Sequence, residues 1–259
     1  MGQRTDTEAQ LTNCLKELHL PGIRQSYEEL SRSAEQDSLG YKEYLLALLD
    51  RERELRRNNR ITKLLRESRL PMEKTISNFD LKRLQPKIVP QVKALVAGDF
   101  LDRSENILAF GNPGSGKTHL LCAIGRELIQ QGRRILFTTC SLLIQELLIA
   151  KKGLQLGKYL KKLAGFEGLI VDDVGYVQRE REEMEVFFTL LAERYERGSI
   201  LLTSNLPFSK WETIFKDPMV TAAAIDRLVH HSIILELNME SYRMAEAKKS
   251  RPIKVEVNQ

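Results

Sequence analysis

Gly111-Asn112-Pro113-Gly114-Ser115-Gly116-Lys117-Thr118 fits the pattern G-x-x-x-x-G-K-[ST], and the residues on either side fit as well. Before it, Asn106-Ile107-Leu108-Ala109-Phe110 is a short apolar run that reads as a buried strand. After it, His119-Leu120-Leu121-Cys122-Ala123-Ile124 reads as a helix. A loop that wraps a polyphosphate must aim successive backbone N–H groups inward, through angles that glycine adopts without a steric penalty. Lys117 supplies a point charge for the β- and γ-phosphates, Thr118 a hydroxyl for Mg²⁺, and the helix N-terminus a field that favours the anion. The nucleotide-contacting set is therefore Gly111 through Thr118, with His119 adjoining it. The cofactors this implies are ATP and Mg²⁺.

Outward from the loop, helical and strand-like segments alternate. A helix runs to Gln130, a strand over Arg134 to Thr139, helices over Ser141 to Leu163, and a strand over Leu169 to Val174. A helix follows over Arg181 to Arg197, then strands over Ile200 to Ser204 and Ile233 to Leu237. Such alternation predicts an α/β fold, a parallel five-stranded sheet with helices on both faces. In open sheets of this kind the ligand sits at the carboxyl ends of the strands, so the functional side chains belong there.

Three candidates meet that condition or bear on it. Leu169-Ile170-Val171-Asp172-Asp173 is an apolar strand ending in two carboxylates: Asp172 to hold Mg²⁺, Asp173 to orient or deprotonate the water that attacks a γ-phosphate. Leu201-Leu202-Thr203-Ser204-Asn205 is a second strand with a polar end, and Asn205 is placed to hydrogen-bond that water or the phosphate. Arg227, in the helical stretch Ala223 to Leu228, reads either as a salt-bridged surface residue or as an arginine that reaches a neighbouring subunit's γ-phosphate.

Upstream, residues from about Thr7 to Leu70 carry helical spacing instead of strand alternation. Leu11, Leu15 and Leu18 make one stripe; Ile23, Tyr27 and Leu30 make a second after the Pro21-Gly22 break. A third helix after Ser38 puts Tyr41, Tyr44, Leu45, Leu48 and Leu55 inward. This predicts a helical module over residues 1–72 followed by a nucleotide-binding domain over 73–259. Its arginines, Arg51 to Arg69, read equally as a solvated face laced with Glu52, Glu54 and Glu67 or as a contact for DNA or another subunit.

The totals narrow the class. The 259 residues give room for one large domain and an appendage, and a formal charge of +5 with a pI near 9.0 leans toward an anionic partner. Cys14, Cys122 and Cys140 are scattered and lack metal-ligand spacing, which argues against disulfides and zinc and for a reducing cytoplasm. Apolar runs such as Leu45 to Leu49 are too short to span a bilayer, and nothing near Met1 resembles a signal peptide.

The phosphate loop, the acidic strand end, Asn205 and Arg227, in that order, resemble the AAA+ ATPases. The resemblance assigns them as Walker A (111–118), Walker B (169–173), sensor 1 (Asn205) and arginine finger (Arg227). Thr203 to Trp211, with Glu193-Arg194-Tyr195-Glu196-Arg197-Gly198-Ser199 before it and Glu240-Ser241-Tyr242-Arg243 after it, is similar to the IstB-type helper ATPases of insertion-sequence transposons. Those are relatives of the helicase loaders DnaC and DnaI within the DnaA-like initiator group. The resemblance covers about Asn78 to Arg243, and the helical N-terminal module suits it too. It implies ATP sites between subunits of a homo-oligomer, and a cognate transposase as partner. Asp172-Asp173 stands where many AAA+ members carry Asp-Glu. The tail beyond the last strand is short for a helical lid, which is expected to be reduced or absent, and Arg243 is the candidate for the sensor 2 role.

Initiator-type relatives carry an extra helix facing nucleic acid between the second and third strands. Here that segment holds Lys151, Lys152, Lys158, Lys161 and Lys162, the last three at i, i+3 and i+4, with no acid between Lys151 and Lys162. The pattern predicts a stripe that contacts the phosphates of double-stranded DNA largely independently of base sequence. The expected function is an ATP-dependent DNA-binding transposition helper. A DnaC/DnaI-type helicase loader is the alternative, followed by a structural DNA-binding protein with a degenerate nucleotide site and a small-molecule P-loop kinase.

Overall fold

The computed structural model describes residues 2–175, 180–211, 218–239, 241 and 242. Two compact units divide between Lys63 and Leu64. The division falls earlier than residue 72 because residues 64–70 pack within the second unit. Leu64 and Leu70 are buried, Leu70 approaches Gly125, and Glu67 and Arg69 pair with Arg134 and Glu146.

The first unit is helical: α1 (Gly2–Glu17), α2 (Pro21–Gln36) and the greater part of α3 (Tyr41–Ser68). Leu15, Ile23 and Leu48 form its core, with Leu20, Tyr27, Leu30 and Tyr44 against them. Glu52, only 4% exposed, turns its carboxylate onto the N-terminus of α2, accepting from the amides of Gly22 (2.7 Å) and Ile23 (3.2 Å) while Arg56 donates to its other oxygen at 2.7 Å. That satisfies amides a helix start leaves open, in the favourable field of the dipole. Of the expected inward stripe, Leu11, Leu18, Tyr41 and Leu45 are exposed, Tyr41 at 96%. Three helices alone enclose too little volume to bury every apolar residue that falls at helical spacing. Among the arginines, Arg51 pairs with Glu54, Arg53 with Asp50, and Arg56 with Glu52.

The second unit is the sheet and its cover. After α4 (Ile88–Ala97), stopped by Gly98 in the left-handed conformation, and the short α5 (Asp99–Asp102), the elements alternate. They are β1 (Asn106–Phe110), α6 (Lys117–Gln130), β2 (Ile135–Thr139), α7 (Cys140–Lys152) and α8 (Leu156–Ala164). Then come β3 (Gly168–Val174), α9 (Arg181–Arg194), β4 (Ser199–Ser204), α10 (Pro218–Val229) and β5 (Ser232–Glu236). All strand pairs are parallel and the order is β2-β3-β4-β1-β5, so β1 and β3 flank β4. The predicted five-stranded parallel sheet is present. Expectations for the tail, including Arg243 and the lid, lie outside the described residues.

Two polar staples hold the amino ends of the strands. Asn106 accepts from the Ile200 amide at 2.8 Å and donates to the Leu228 carbonyl at 3.1 Å, joining β1, β4 and α10. Arg194 is 4% exposed and donates to the carbonyls of Leu163, Phe166, Glu167 and Ser199 at 3.0–3.1 Å. Burial lowers its pKa to about 10, and with four oxygens around it the guanidinium stays charged at neutral pH.

Candidate nucleotide site

At the carboxyl ends of β1 and β3 the two predicted motifs meet across β4. A cavity of about 420 Å³ is lined on one side by the phosphate loop with Lys117 and Thr118, and by Asp172 and Asp173. Gly111, Gly114 and Gly116 take φ values of 148°, 78° and 90°. A Cβ at Gly111 would lie 2.2 Å from the Leu237 carbonyl oxygen, and one at Gly114 2.2 Å from Ser241 Oγ. Glycine is thus required twice over, for the turn and for the chain that runs above it. Lys117 Nζ donates to the carbonyls of Gly111 (2.8 Å) and Asn112 (3.0 Å), which fixes the ammonium within the loop. Ser115 Oγ is buried without a partner among the described residues, a polar atom turned into a loop shaped for an anion.

The acidic strand end has a specific distortion. Val171 pairs with Leu202 and Val174 with Ser204, so Asp172 and Asp173 together oppose the single residue Thr203. This bulge puts Asp173 at φ 61°. Bulges re-aim side chains next to functional sites. Here Asp172 is buried and Asp173 exposed at the cavity. Thr203 occupies the bulge. Its hydroxyl donates to Asp172 Oδ1 at 2.6 Å and accepts from the Asp173 amide at 2.9 Å. Thr118 donates to the same Asp172 oxygen at 2.7 Å. A hydroxyl and a carboxylate this close are hard oxygen donors that fit Mg²⁺, which when bound would neutralise phosphate charge. Thr118 and Asp172 would hold it.

Asn205 follows Ser204, which pairs with Phe110 on one side and Val174 on the other, so it stands between the phosphate loop and the acidic pair. Its Oδ1 is buried with no hydrogen-bond partner among the described residues. Trp211 anchors this segment. It is fully buried, donates to the Leu206 carbonyl at 3.1 Å and packs at a tilt against Phe208, which meets Phe110 just before the loop.

The cavity's other walls are residues that sequence reasoning missed. Phe79, Asp80 and Arg83 come from the connector before α4, and Met239 and Tyr242 from the segment after β5. The Phe79 and His119 rings meet edge to face at 5.3 Å, and the Arg83 guanidinium lies 5.3 Å from the Tyr242 ring. His119 Nε2 lies 2.9 Å from the Thr75 carbonyl, so in the neutral ring Nε2 carries the proton and donates it. Tyr242 is held by its amide, which donates to the Gly114 carbonyl at 3.0 Å. These residues lie in irregular segments with no periodicity to expose them.

Arg227 is elsewhere. Its Nη1 donates to the Ala223 carbonyl of its own helix at 3.0 Å, its guanidinium lies over Phe188 at 4.5 Å, and its backbone is stapled to Asn106 at the amino end of β1. It does not line the cavity. The lysines also divide. On α8, Tyr159, Leu160 and Leu163 pack on the core, and Lys158, Lys161 and Lys162 are exposed, with no ion pair among the described residues. Lys151 instead pairs with Glu185 of α9 at 3.1 Å; its acid comes from another element, which spacing within one segment does not reveal.

Residues 13–250 match the model of the family described as IstB-like ATP binding protein. The chain belongs to that family. An insertion sequence ATP-binding protein of Sinorhizobium fredii is 41% identical over 248 residues, covering 95% of this chain and 83% of its own. The insertion sequence IS21 ATP-binding protein of Pseudomonas aeruginosa is 39% identical over 237 residues, covering 91% of this chain and 89% of its own. Among solved structures, AMPPCP-bound DnaA from Aquifex aeolicus aligns with a TM-score of 0.57 at 19% identity, over 74% of this chain and 59% of that one. The DnaC helicase loader aligns with a TM-score of 0.55 at 18% identity, over 64% and 97%. The IstB-like chain thus has the AAA+ P-loop fold.

Proposed function

We propose that this protein is an ATP-dependent, DNA-binding transposition helper that hydrolyses ATP, assembles into homo-oligomers on double-stranded DNA and engages a transposase. The observation that carries the reading is the convergence of Lys117, Thr118, Asp172 and Asp173 in one cavity of a chain belonging to an insertion-sequence family. Lys117 and the loop amides bind the phosphates; Phe79, His119 and Tyr242 supply faces for the base. Asp173 takes the proton of, or orients, the attacking water, and Asn205 holds that water from the neighbouring strand end. Arg227, at the far end of the sheet, serves a site on another subunit. Lys158, Lys161 and Lys162 form the DNA-contacting face, with Lys152 beside them and Lys151 contributing less because it is already paired. Three cysteines outside any disulfide, and the lack of any described helix long and apolar enough to cross a membrane, support a cytoplasmic location.

The test is ATP turnover with and without duplex DNA for wild type, Lys117→Ala, Arg227→Ala and an equimolar mixture of the two variants. Wild-type turnover rises with DNA, and each variant alone falls by about 10³-fold or more. The mixture regains activity, because each subunit supplies what its neighbour lacks. Full activity of Arg227→Ala overturns the shared site. Capture of the replicative helicase instead of the transposase would favour the helicase-loader reading.

A further inference from the structure

Away from the nucleotide cavity, where β1 and β5 begin, Glu196, His230 and His231 bring a carboxylate oxygen and two imidazole nitrogens within 4.8 Å of one another. The three come from two turns. Glu196, at φ 57°, lies between α9 and β4; the histidines lie between α10 and β5. The histidine turn is fixed to the sheet. The His231 carbonyl accepts from the Asn106 amide at 2.7 Å, and the His230 amide donates to Asp226 at 3.0 Å. The two rings stand 4.1 Å apart, and His231 Nε2 lies 3.9 Å from Glu196 Oε1.

We propose that Glu196, His230 and His231 form a surface site for a divalent transition metal, zinc foremost. The donor set is right for it: two imidazoles and one carboxylate leave a fourth position open to water. A tetrahedral zinc with ligands at about 2.0–2.1 Å sets its donors roughly 3.3 Å apart, so side chains already within 4.8 Å need only small χ rotations. An orienting partner is in place too. Tyr195 Oη lies 3.0 Å from His230 Nδ1. The phenol also hydrogen-bonds Glu196; donating to that carboxylate, it accepts from His230 Nδ1–H, which leaves the Nε2 lone pair for a metal, the arrangement by which outer partners set a ligand's tautomer. A bound ion ties the end of α9 to the residues that follow Arg227. The site stands independently of the nucleotide reading.

The experiment is competition of the untagged, nucleotide-free full chain for Zn²⁺ against a chromophoric chelator, repeated with Co²⁺ read by its visible absorption. Wild type takes up one equivalent. His230→Ala and His231→Ala each weaken uptake at least about tenfold, and Tyr195→Phe about tenfold with the stoichiometry kept. Cys14→Ser and His19→Asn, which remove other surface donors, bind as wild type, and zinc raises the melting temperature of wild type but not of the double histidine variant. Wild type that takes up no zinc at micromolar free metal overturns the proposal. So does uptake that survives both histidine substitutions, or uptake lost in Asp172→Asn instead.

Discussion

Replacing Thr203 with valine tests how the acidic strand end is built. The swap keeps the shape of the side chain and deletes only the hydroxyl that donates to Asp172 Oδ1 at 2.6 Å and accepts from the Asp173 amide at 2.9 Å. A hydrogen bond to a charged group contributes about 1.5–3 kcal/mol. The Asp173 amide sits at an exposed residue and can turn to water, so its loss adds less than a buried orphan would. The sum is about 3 kcal/mol, or roughly 6–12 °C in melting temperature for a unit of this size. A second effect falls on the metal. Thr118 would hold Mg²⁺ through an oxygen lone pair and still donate its proton to Asp172, so Thr203 is the second of the two hydroxyls that orient the carboxylate. Without it, the Mg²⁺ concentration for half-maximal ATP turnover rises about 10–100-fold, as for other lost outer-shell partners. Calorimetry and a Mg²⁺ titration of turnover at saturating ATP read the two effects separately. A variant that melts with wild type and keeps its Mg²⁺ dependence refutes the account of the bulge.

Arg194→Met leaves the carbonyls of Phe166 and Ser199 without their guanidinium and loosens the junction of α8, β3 and β4; the expected loss is about 3 kcal/mol by thermal melting, with Arg194→Lys falling between because an ammonium cannot span all four oxygens. For Glu52, burial opposes ionisation, but Arg56 and the Ile23 and Gly22 amides outweigh it and hold the pKa below its ordinary 4.5. A depressed acid stabilises the fold above its unfolded pKa and loses that contribution as pH falls through the folded value. Glu52→Gln should therefore reduce the hydrogen-exchange protection of residues 21–56 by about 1–2 kcal/mol at neutral pH, a gap that closes below pH 4.5. Burial pushes the Cys122 thiol up to about 12, and Cys140 is buried as well, so a thiol reagent should titrate only Cys14 in the native protein and all three cysteines after denaturation.

How much of the fold and site was legible beforehand depended on whether the signal was local. The phosphate loop, its flanking strand and helix, and the Asp172-Asp173 strand end are contiguous motifs, and the structure places them in one cavity. Asn205 could be put at a strand end from sequence, but that its Oδ1 would be buried with no partner among the described residues could not. The role of Thr203 follows from a register shift between β3 and β4 that no linear pattern displays. Glu193 to Ser199, a run that carries family resemblance, also holds a structural clamp: a Cβ at Gly198 would lie 2.6 Å from Arg194 Nη2.

The sequence by itself determined the fold class and the chemistry of the phosphate loop, because apolar periodicity sets strands and helices and the loop's conformation needs its glycines where they stand. Tertiary structure alone decided which residues from distant segments share a site: Phe79 with Tyr242 around the cavity, Lys151 with Glu185, and Glu196 with His230 and His231. The physical reason is one of range. Backbone preferences act over a few residues, whereas hydrogen bonds, ion pairs and metal coordination act over a few ångströms, and only folding makes the second kind of neighbour out of residues far apart in the chain.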